Sequence, residues 1–293
     1  MAETVDRISC KAYAKINLCL RVLGKRPDGY HDIFSLMQAI DLCDDISFKR
    51  IDEEAIKIKC NDPDVPTGDD NLIARAFLAM KRKYSLSGGL DVRLHKRIPA
   101  GAGLGGGSSD CAAAIRAVDE IFQLSLTSSE MVQIGASLGS DVPFFFSSGS
   151  AVVTGRGDIV RNIKLPLSYF ILLVVPKIHI STKAIYSKLK MNLTKKSSAN
   201  RLKLYQDKID MAKMKGLAGN DFQDIVFHGY PEVRKVKDSL SGWGLTNISI
   251  SGTGSAVFAV APKKEIEGCA IPELKNRGDW QVFITQPILL IGT

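Results

Sequence analysis

The chain has no run of about 18 apolar residues, so no segment reads as a membrane-spanning helix. The apolar stretch at residues 169–176 is far too short and reads as a buried strand. The cysteines Cys10, Cys19, Cys43, Cys60, Cys111 and Cys269 form no C-x-x-C pair and no metal-type spacing. That excludes a disulfide framework and a structural zinc site, and it fits reduced thiols in a cytoplasmic protein. The opening residues are acidic and lack an apolar centre, so no secretory leader is expected. No internal repeat, RNP-type, zinc-finger or basic–aromatic motif is present. The Lys of a P-loop is missing as well, because no glycine is followed by Lys in the G-x-x-x-x-G-K-[ST] frame.

What is present is an ordinary globular composition: 293 residues, 45% hydrophobic and 24% charged, enough for one large or two medium domains. The net charge of +8 suits nucleic acid, acidic membranes or polyphosphate metabolites without choosing among them. The densest basic stretch, residues 183–215, reads as a solvated helical face, so neither a nucleic-acid nor a membrane partner is expected.

The most informative segment is residues 99–110, Pro-Ala-Gly-Ala-Gly-Leu-Gly-Gly-Gly-Ser-Ser-Asp, which runs directly into Cys-Ala-Ala-Ala-Ile. A main chain this bare lets backbone amides reach a ligand. The helix start that follows adds free N–H groups and a positive dipole end, which together make a polyphosphate cradle. Ser108 and Ser109 are the expected caps of that helix. The dinucleotide pattern G-x-G-x-x-G matches at Gly101, Gly103 and Gly106. It lacks the second parallel strand ending in an acidic residue, since Asp119 and Glu120 fall within the helical stretch.

The rest of the chain mixes strands and helices without a regular βαβ alternation, which predicts an α+β fold. Strands are expected at residues 8–22, 46–58, 90–98, 151–154, 159–163, 170–175 and 256–261. Asp69–Asn71 caps a helix whose apolar face is Leu72, Ala76, Ala79 and Met80, and Ser128 or Ser129 caps another that ends near 138. A polar helical region is expected at 181–215 and a further helix from about Asp221. The division falls near 165, giving units 1–165 and 166–293.

Two charged residues have unusual settings. Asp141 lies between Gly139 and the apolar run Val142–Phe146, a place for a part-buried carboxylate of raised basicity or, more simply, a turn Asp. Lys15 and Asn17 share one face of an alternating strand with Tyr13. Lys15 reads either as an edge-strand charge or, beside a buried Asp, as half of a catalytic couple.

The segment from Pro99 to Ser109 resembles the nucleotide loop of the GHMP small-molecule kinases. Ala14-Lys15-Ile16-Asn17, Pro27-Asp28-Gly29-Tyr30-His31, Gly139-Ser140-Asp141-Val142-Pro143 and Ser251-Gly252-Thr253-Gly254 extend the resemblance over residues 12–258. The Tyr30–His31 element is similar to that of the family members whose alcohol is a cytidine diphosphate ester of methylerythritol. The resemblance implies a two-domain fold, ribosomal-protein-S5-domain-2-like followed by a ferredoxin-like α/β sandwich. It implies ATP and Mg²⁺ as cofactors, a small-molecule partner, and a monomer or weak homodimer. It makes Asp141 the base and Lys15 its partner. The nucleotide would lie against Lys96, Pro99, Ala100, Gly101, Ala102, Gly103, Leu104, Gly105, Gly106, Gly107, Ser108 and Ser109, with Ser108 or Ser109 meeting phosphate or Mg²⁺. Asn17, Tyr30, His31 and Thr182 would meet the alcohol substrate, and Gly252 and Gly254 would let the second unit approach it. A mevalonate- or homoserine-type kinase, or a nucleotide-binding protein without catalysis, stays open as an alternative.

Overall fold

The computed structural model describes residues 6–189, 219–269, 271–276 and 279–290. Most of the expected helical region at 181–215 therefore lies outside the described residues; within it, Thr182–Lys188 forms a helix, α4.

Two long strands set the architecture. β1 (Arg7–Lys25) and β2 (His31–Ile51) pair antiparallel through the turn at Arg26-Pro27-Asp28-Gly29. Gly29 stands at φ 84 and donates its amide to Arg26 O at 3.2 Å, so the turn chemistry closes the hairpin as its residues imply. The first half of β2 gave no alternating signal, and the reason is visible: residues 33–40 are all buried, because both faces of the sheet are covered there. β3 (Ile56–Cys60) and β4 (Gly89–His95) extend the sheet beyond β2. β5 (Ser150–Thr154) and β6 (Ile159–Asn162) branch from β2, and β8 (Gly219–Asn220) adds in parallel to β1.

Helices α1 (Leu72–Tyr84), α2 (Gly106–Ile121) and α3 (Ser128–Leu138) cover one face of this sheet. Asn71 caps α1 through its side chain, but the buried stripe is Ile73, Ala74, Ala76, Phe77 and Met80, rotated from the expected one because α1 packs on α2. Thr127, rather than Ser128 or Ser129, caps α3, in a reciprocal box with Glu130.

The second sheet runs β11 (Trp280–Thr285), β7 (Phe170–Pro176), β10 (Val257–Ala261), β9 (Ile248–Ile250), all antiparallel. Its outer face packs under α5 (Gln223–Gly229) and α6 (Pro231–Gly242) through Leu172, Val174, Val257 and Ala259. Its inner face, Ile171, Leu173, Val175 and Phe258, shares a core with Ala14, Ile16, Phe34 and Leu36 of the first sheet. β7 and β10 are apolar throughout because both of their faces are buried. No helix among the described residues is long and apolar enough to cross a membrane.

Candidate active site

The glycine loop joins β4 to α2. Gly105, at φ 72, precedes the first helical residue, so Ser108 and Ser109 lie inside the first turn of α2 and cap nothing. Ser109 is buried, whereas Ser108 is half-buried and faces Gly139. Two loop positions, both at positive φ, leave little or no room for a side chain. A Cβ at Gly103 would fall 2.1 Å from Ser251 O, and one at Gly105 would fall 3.0 Å from the Lys15 Cγ. The loop is thus clasped between the Lys15 stem and the turn at 251–254. A cleft of about 350 Å³ opens against the loop, with residues 64–66 and Asn71–Leu72 as its far wall. That wall carries no recognisable motif.

Lys15 is 2% exposed, with β2 on one side and the glycine loop on the other, so it is no solvent-facing edge charge. Its ammonium donates to Asn17 Oδ1 at 2.7 Å and to Gly103 O at 2.9 Å, and it stands 3.3 Å from Asp141 Oδ2. The backbone fixes this arrangement, since Lys15 N donates to Leu104 O at 2.9 Å. The Asp141 side chain is 34% exposed and makes no helix-capping bond, although the residue precedes the 3₁₀ turn Val142–Phe146. The part-buried setting expected from the apolar run is the one observed, and the Lys15 ammonium is the charge that faces it.

Asn17 sits at the centre of the same network. It is buried, and its Oδ1 accepts from Lys15 Nζ, from Gly252 N at 2.9 Å and from Ser251 Oγ at 3.4 Å, while Nδ2 donates to Ser35 Oγ at 2.8 Å. This side chain orients Lys15 and binds the 251–254 turn.

Lys96 stands at the wall of the same cleft. Its ammonium is buried against Asp44 Oδ2 at 2.5 Å and Asp110 Oδ2 at 2.8 Å, and a Cβ at Gly106 would lie 3.2 Å from it. Asp44 Oδ1 also accepts the amides of Arg97 at 2.6 Å and Ile98 at 2.8 Å, just before Pro99. The triad therefore props the loop from below. Burial opposes the Lys96 charge, but the two carboxylates outweigh it and hold the amine above its ordinary value. Burial pushes Asp110 up to about 7, with Lys96 opposing and Asp44 reinforcing the rise.

This shift has a consequence for stability. A carboxyl that binds its proton more tightly when folded favours folding below its unfolded value and loses that advantage as pH rises toward its folded value. Wild-type melting temperature should accordingly fall relative to that of Asp110→Asn between about pH 4 and 7 and run parallel above that window. Melting curves for both proteins across that range check this; a constant offset would show that the folded and unfolded states hold the Asp110 proton equally.

The hairpin turn presents the remaining candidates. Tyr30 is 52% exposed and His31 is half-buried, its ring 5.0 Å from that of Tyr186 in α4. Burial, then the charge of Lys25, lowers the His31 imidazole, which favours the neutral ring. Tyr186 went unnoticed in the sequence. It packs edge-on against Phe222 at 4.6 Å, and burial together with the Asp141 charge pushes its phenol up to about 12. Tyr186 thus touches the His31 ring and lies within the electrostatic reach of Asp141. Thr182 opens α4 and shares a hydrogen bond of 3.0 Å with Thr253. His179 is a further residue without a sequence signal; its ring faces Gly101.

Comparison with known proteins bears on this geometry. The GHMP kinases N terminal domain family matches residues 71–149, which include α1, the glycine loop and Asp141. The 4-diphosphocytidyl-2-C-methyl-D-erythritol kinase of Thermodesulfovibrio yellowstonii is 42% identical over 262 residues, 88% of this chain and 90% of that one. The enzyme of the same name from Bacillus cytotoxicus is 37% identical over 254 residues, 87% of this chain and 88% of the other. The chain belongs to the 4-diphosphocytidyl-2-C-methyl-D-erythritol kinase family. It is a kinase of the GHMP class, and the solved structures agree. The crystal structure of a 4-(cytidine 5′-diphospho)-2C-methyl-D-erythritol kinase superposes with TM-score 0.75 at 26% identity, covering 95% of this chain and 99% of that one. Homoserine kinase from Cytophaga hutchinsonii, at 16% identity and TM-score 0.74 over 100% of this chain and 98% of its own, shares the fold alone. The expected two-domain α+β GHMP fold is the one observed.

Proposed function

We propose that this member of the family transfers the γ-phosphoryl group of ATP to the 2-hydroxyl of 4-diphosphocytidyl-2-C-methyl-D-erythritol, with Asp141 and Lys15 as the reacting pair. The observation that carries the roles is the Lys15–Asp141 contact of 3.3 Å, made by an ammonium that also holds the glycine-loop carbonyl of Gly103. One side chain thereby registers the base against the phosphate cradle.

The hydroxyl oxygen attacks the γ-phosphorus, its proton passes to Asp141, and the β–γ bridging oxygen leaves with ADP. Lys15 keeps the Asp141 carboxylate aimed. Its three N–H directions already go to Asn17, Gly103 and Asp141, so contact with a transferring phosphoryl oxygen requires exchange of one of them. Backbone amides from Gly101 to Gly107, with the positive end of α2, take the polyphosphate. Mg²⁺ fits the oxygen donors available, the Ser108 hydroxyl beside Gly139 and Asp141, and when bound it offsets phosphate charge. The cytosine is assigned to Tyr30 and His31, with Thr182 on the acceptor side.

The division into units 1–165 and 166–293 is kept for this reading, although β8 and Pro287, which bridges to Ile40, return to the first sheet. The same reading makes the protein a cytoplasmic monomer or weak homodimer with no nucleic-acid partner.

A coupled ADP-release assay over the cytidine diphosphate ester, mevalonate and homoserine tests the proposal. Turnover of the first is expected; turnover of mevalonate or homoserine instead defeats it. Tyr30→Ala should raise KM for the cytidine substrate about tenfold, the scale of one lost base–aromatic stack, and leave KM for ATP alone. Equal damage to both Michaelis constants would remove Tyr30 from the acceptor pocket.

A further inference from the structure

The turn between β5 and β6 carries an arginine that the reaction above does not use. Arg156 lies between Gly155 at φ 67 and Gly157 at φ 108, two left-handed positions that sharpen the turn. Gly155 O accepts the amide of Ile33 at 2.8 Å, two residues beyond His31. A Cβ at Gly157 would lie 3.3 Å from the Ser140 Cβ, next to Asp141. This short turn therefore touches both the strand that presents Tyr30 and His31 and the segment that carries the base.

The guanidinium is fixed from two sides. Its Nε donates to Asp158 Oδ2 at 2.9 Å, and its Nη2 donates to Ala136 O, near the end of α3, at 3.1 Å. Held so, its central carbon stands 5.6 Å from the centroid of the Tyr30 ring. Tyr30 has little else to hold it. The ring is half exposed, and the hydrogen bond that orders its backbone, from Tyr30 N to Asp28 Oδ1 at 3.1 Å, leaves the side chain to rotate. A ring that must be ordered before it stacks on a base binds that base more weakly, because the ordering then accompanies binding. A cation fixed by the protein over the ring favours one orientation in advance through the ring quadrupole.

We propose that Arg156 is a positioning residue for the acceptor: it braces Tyr30 in the orientation that receives the pyrimidine. The proposal rests on the acceptor being a cytidine diphosphate ester, as argued above. Arg156 acts through Tyr30 and takes no part in phosphoryl transfer.

Initial-rate kinetics on the full chain provide the test, with Arg156→Met, Arg156→Lys, Tyr30→Leu and the Arg156→Met, Tyr30→Leu double variant. Arg156→Met is expected to raise KM for the acceptor about two- to fivefold, the range of an exposed cation–π contact, with kcat and KM for ATP unchanged. Arg156→Lys, which keeps a cation, should recover most of that loss. In the Tyr30→Leu background, Arg156→Met should add nothing further, since its effect passes through the ring. An unchanged acceptor KM in Arg156→Met overturns the proposal. So does a parallel change in kcat and in KM for ATP, and so does a full effect in the Tyr30→Leu background. Calorimetric titration with cytidine 5′-diphosphate separates the two levels of failure. If wild type and Arg156→Met bind it equally, the bracing role alone falls. If wild type neither binds it nor turns over the ester, the acceptor reading falls and takes the bracing role with it.

Discussion

Asp141→Asn should lower kcat by about a hundredfold or more, the usual scale for a lost general base, while the protein melts close to wild type. The carboxylate is a third exposed and caps no helix, so the isosteric amide removes a proton acceptor without removing a structural bond. The same change withdraws the counter-charge from the Lys15 ammonium. That ammonium keeps Asn17 Oδ1 and Gly103 O as partners, so the loop should stay in place and KM for ATP should hardly move. Steady-state kinetics with both substrates varied separate the outcomes. A kcat near wild type would show that the hydroxyl loses its proton elsewhere, to a phosphate oxygen or to water. A large rise in KM for ATP with kcat preserved would make Asp141 a loop support.

Lys96→Met should be the most damaging single change for stability, at about 3–5 kcal/mol, because it leaves Asp44 and Asp110 buried without their cation. Against a typical total of about 5–15 kcal/mol, that is a large fraction. Replacing Asp110 by Asn in the same protein should return part of the loss, since one fewer buried acid then lacks a partner. Urea unfolding of wild type, the single and the double variant measures both steps. A loss below about 1 kcal/mol for Lys96→Met would mean that the three groups do not depend on one another, contrary to their separations of 2.5 and 2.8 Å. The variant that remains folded should also bind ATP more weakly, because Asp44 aligns the amides of Arg97 and Ile98 at the entrance to the loop.

The parts of the site that sequence reading recovered are those in which one residue type has few other uses. A run of glycines entering an Ala-rich helix, a Lys within a strand and an Asp ahead of Val-Pro-Phe each have a narrow range of physical explanations. Their coming together was legible only through the family resemblance, because Lys15 and Asp141 meet through the pairing of β1 with β2 and the seating of α3. What stayed hidden shares one cause. The protein partners of Lys96 and Asn17 lie far off in sequence, 52 and 14 residues away for Lys96 and 235 away for the Asn17–Gly252 bond. A polar side chain satisfied by distant protein groups cannot be told in one dimension from one that awaits a ligand. Ser108 and Ser109 were misplaced by a local effect, since Gly105 in its left-handed conformation starts the helix earlier than the serine preference suggests. Tyr186 gave no signal at all: its importance comes from the approach of α4 to the hairpin turn.

The amide of Gly252 and the ammonium of Lys15 meet on a single oxygen, that of Asn17. Chemical competence is therefore expected late in the life of each newly made molecule: an N-terminal fragment that had acquired its helices would offer the lysine Asn17, Gly103 and Asp141 but would lack the 251–254 turn that shares the Asn17 oxygen. In a refolding experiment, recovered turnover should lag behind recovered helical circular dichroism, by the time that the 251–254 turn needs to find its seat.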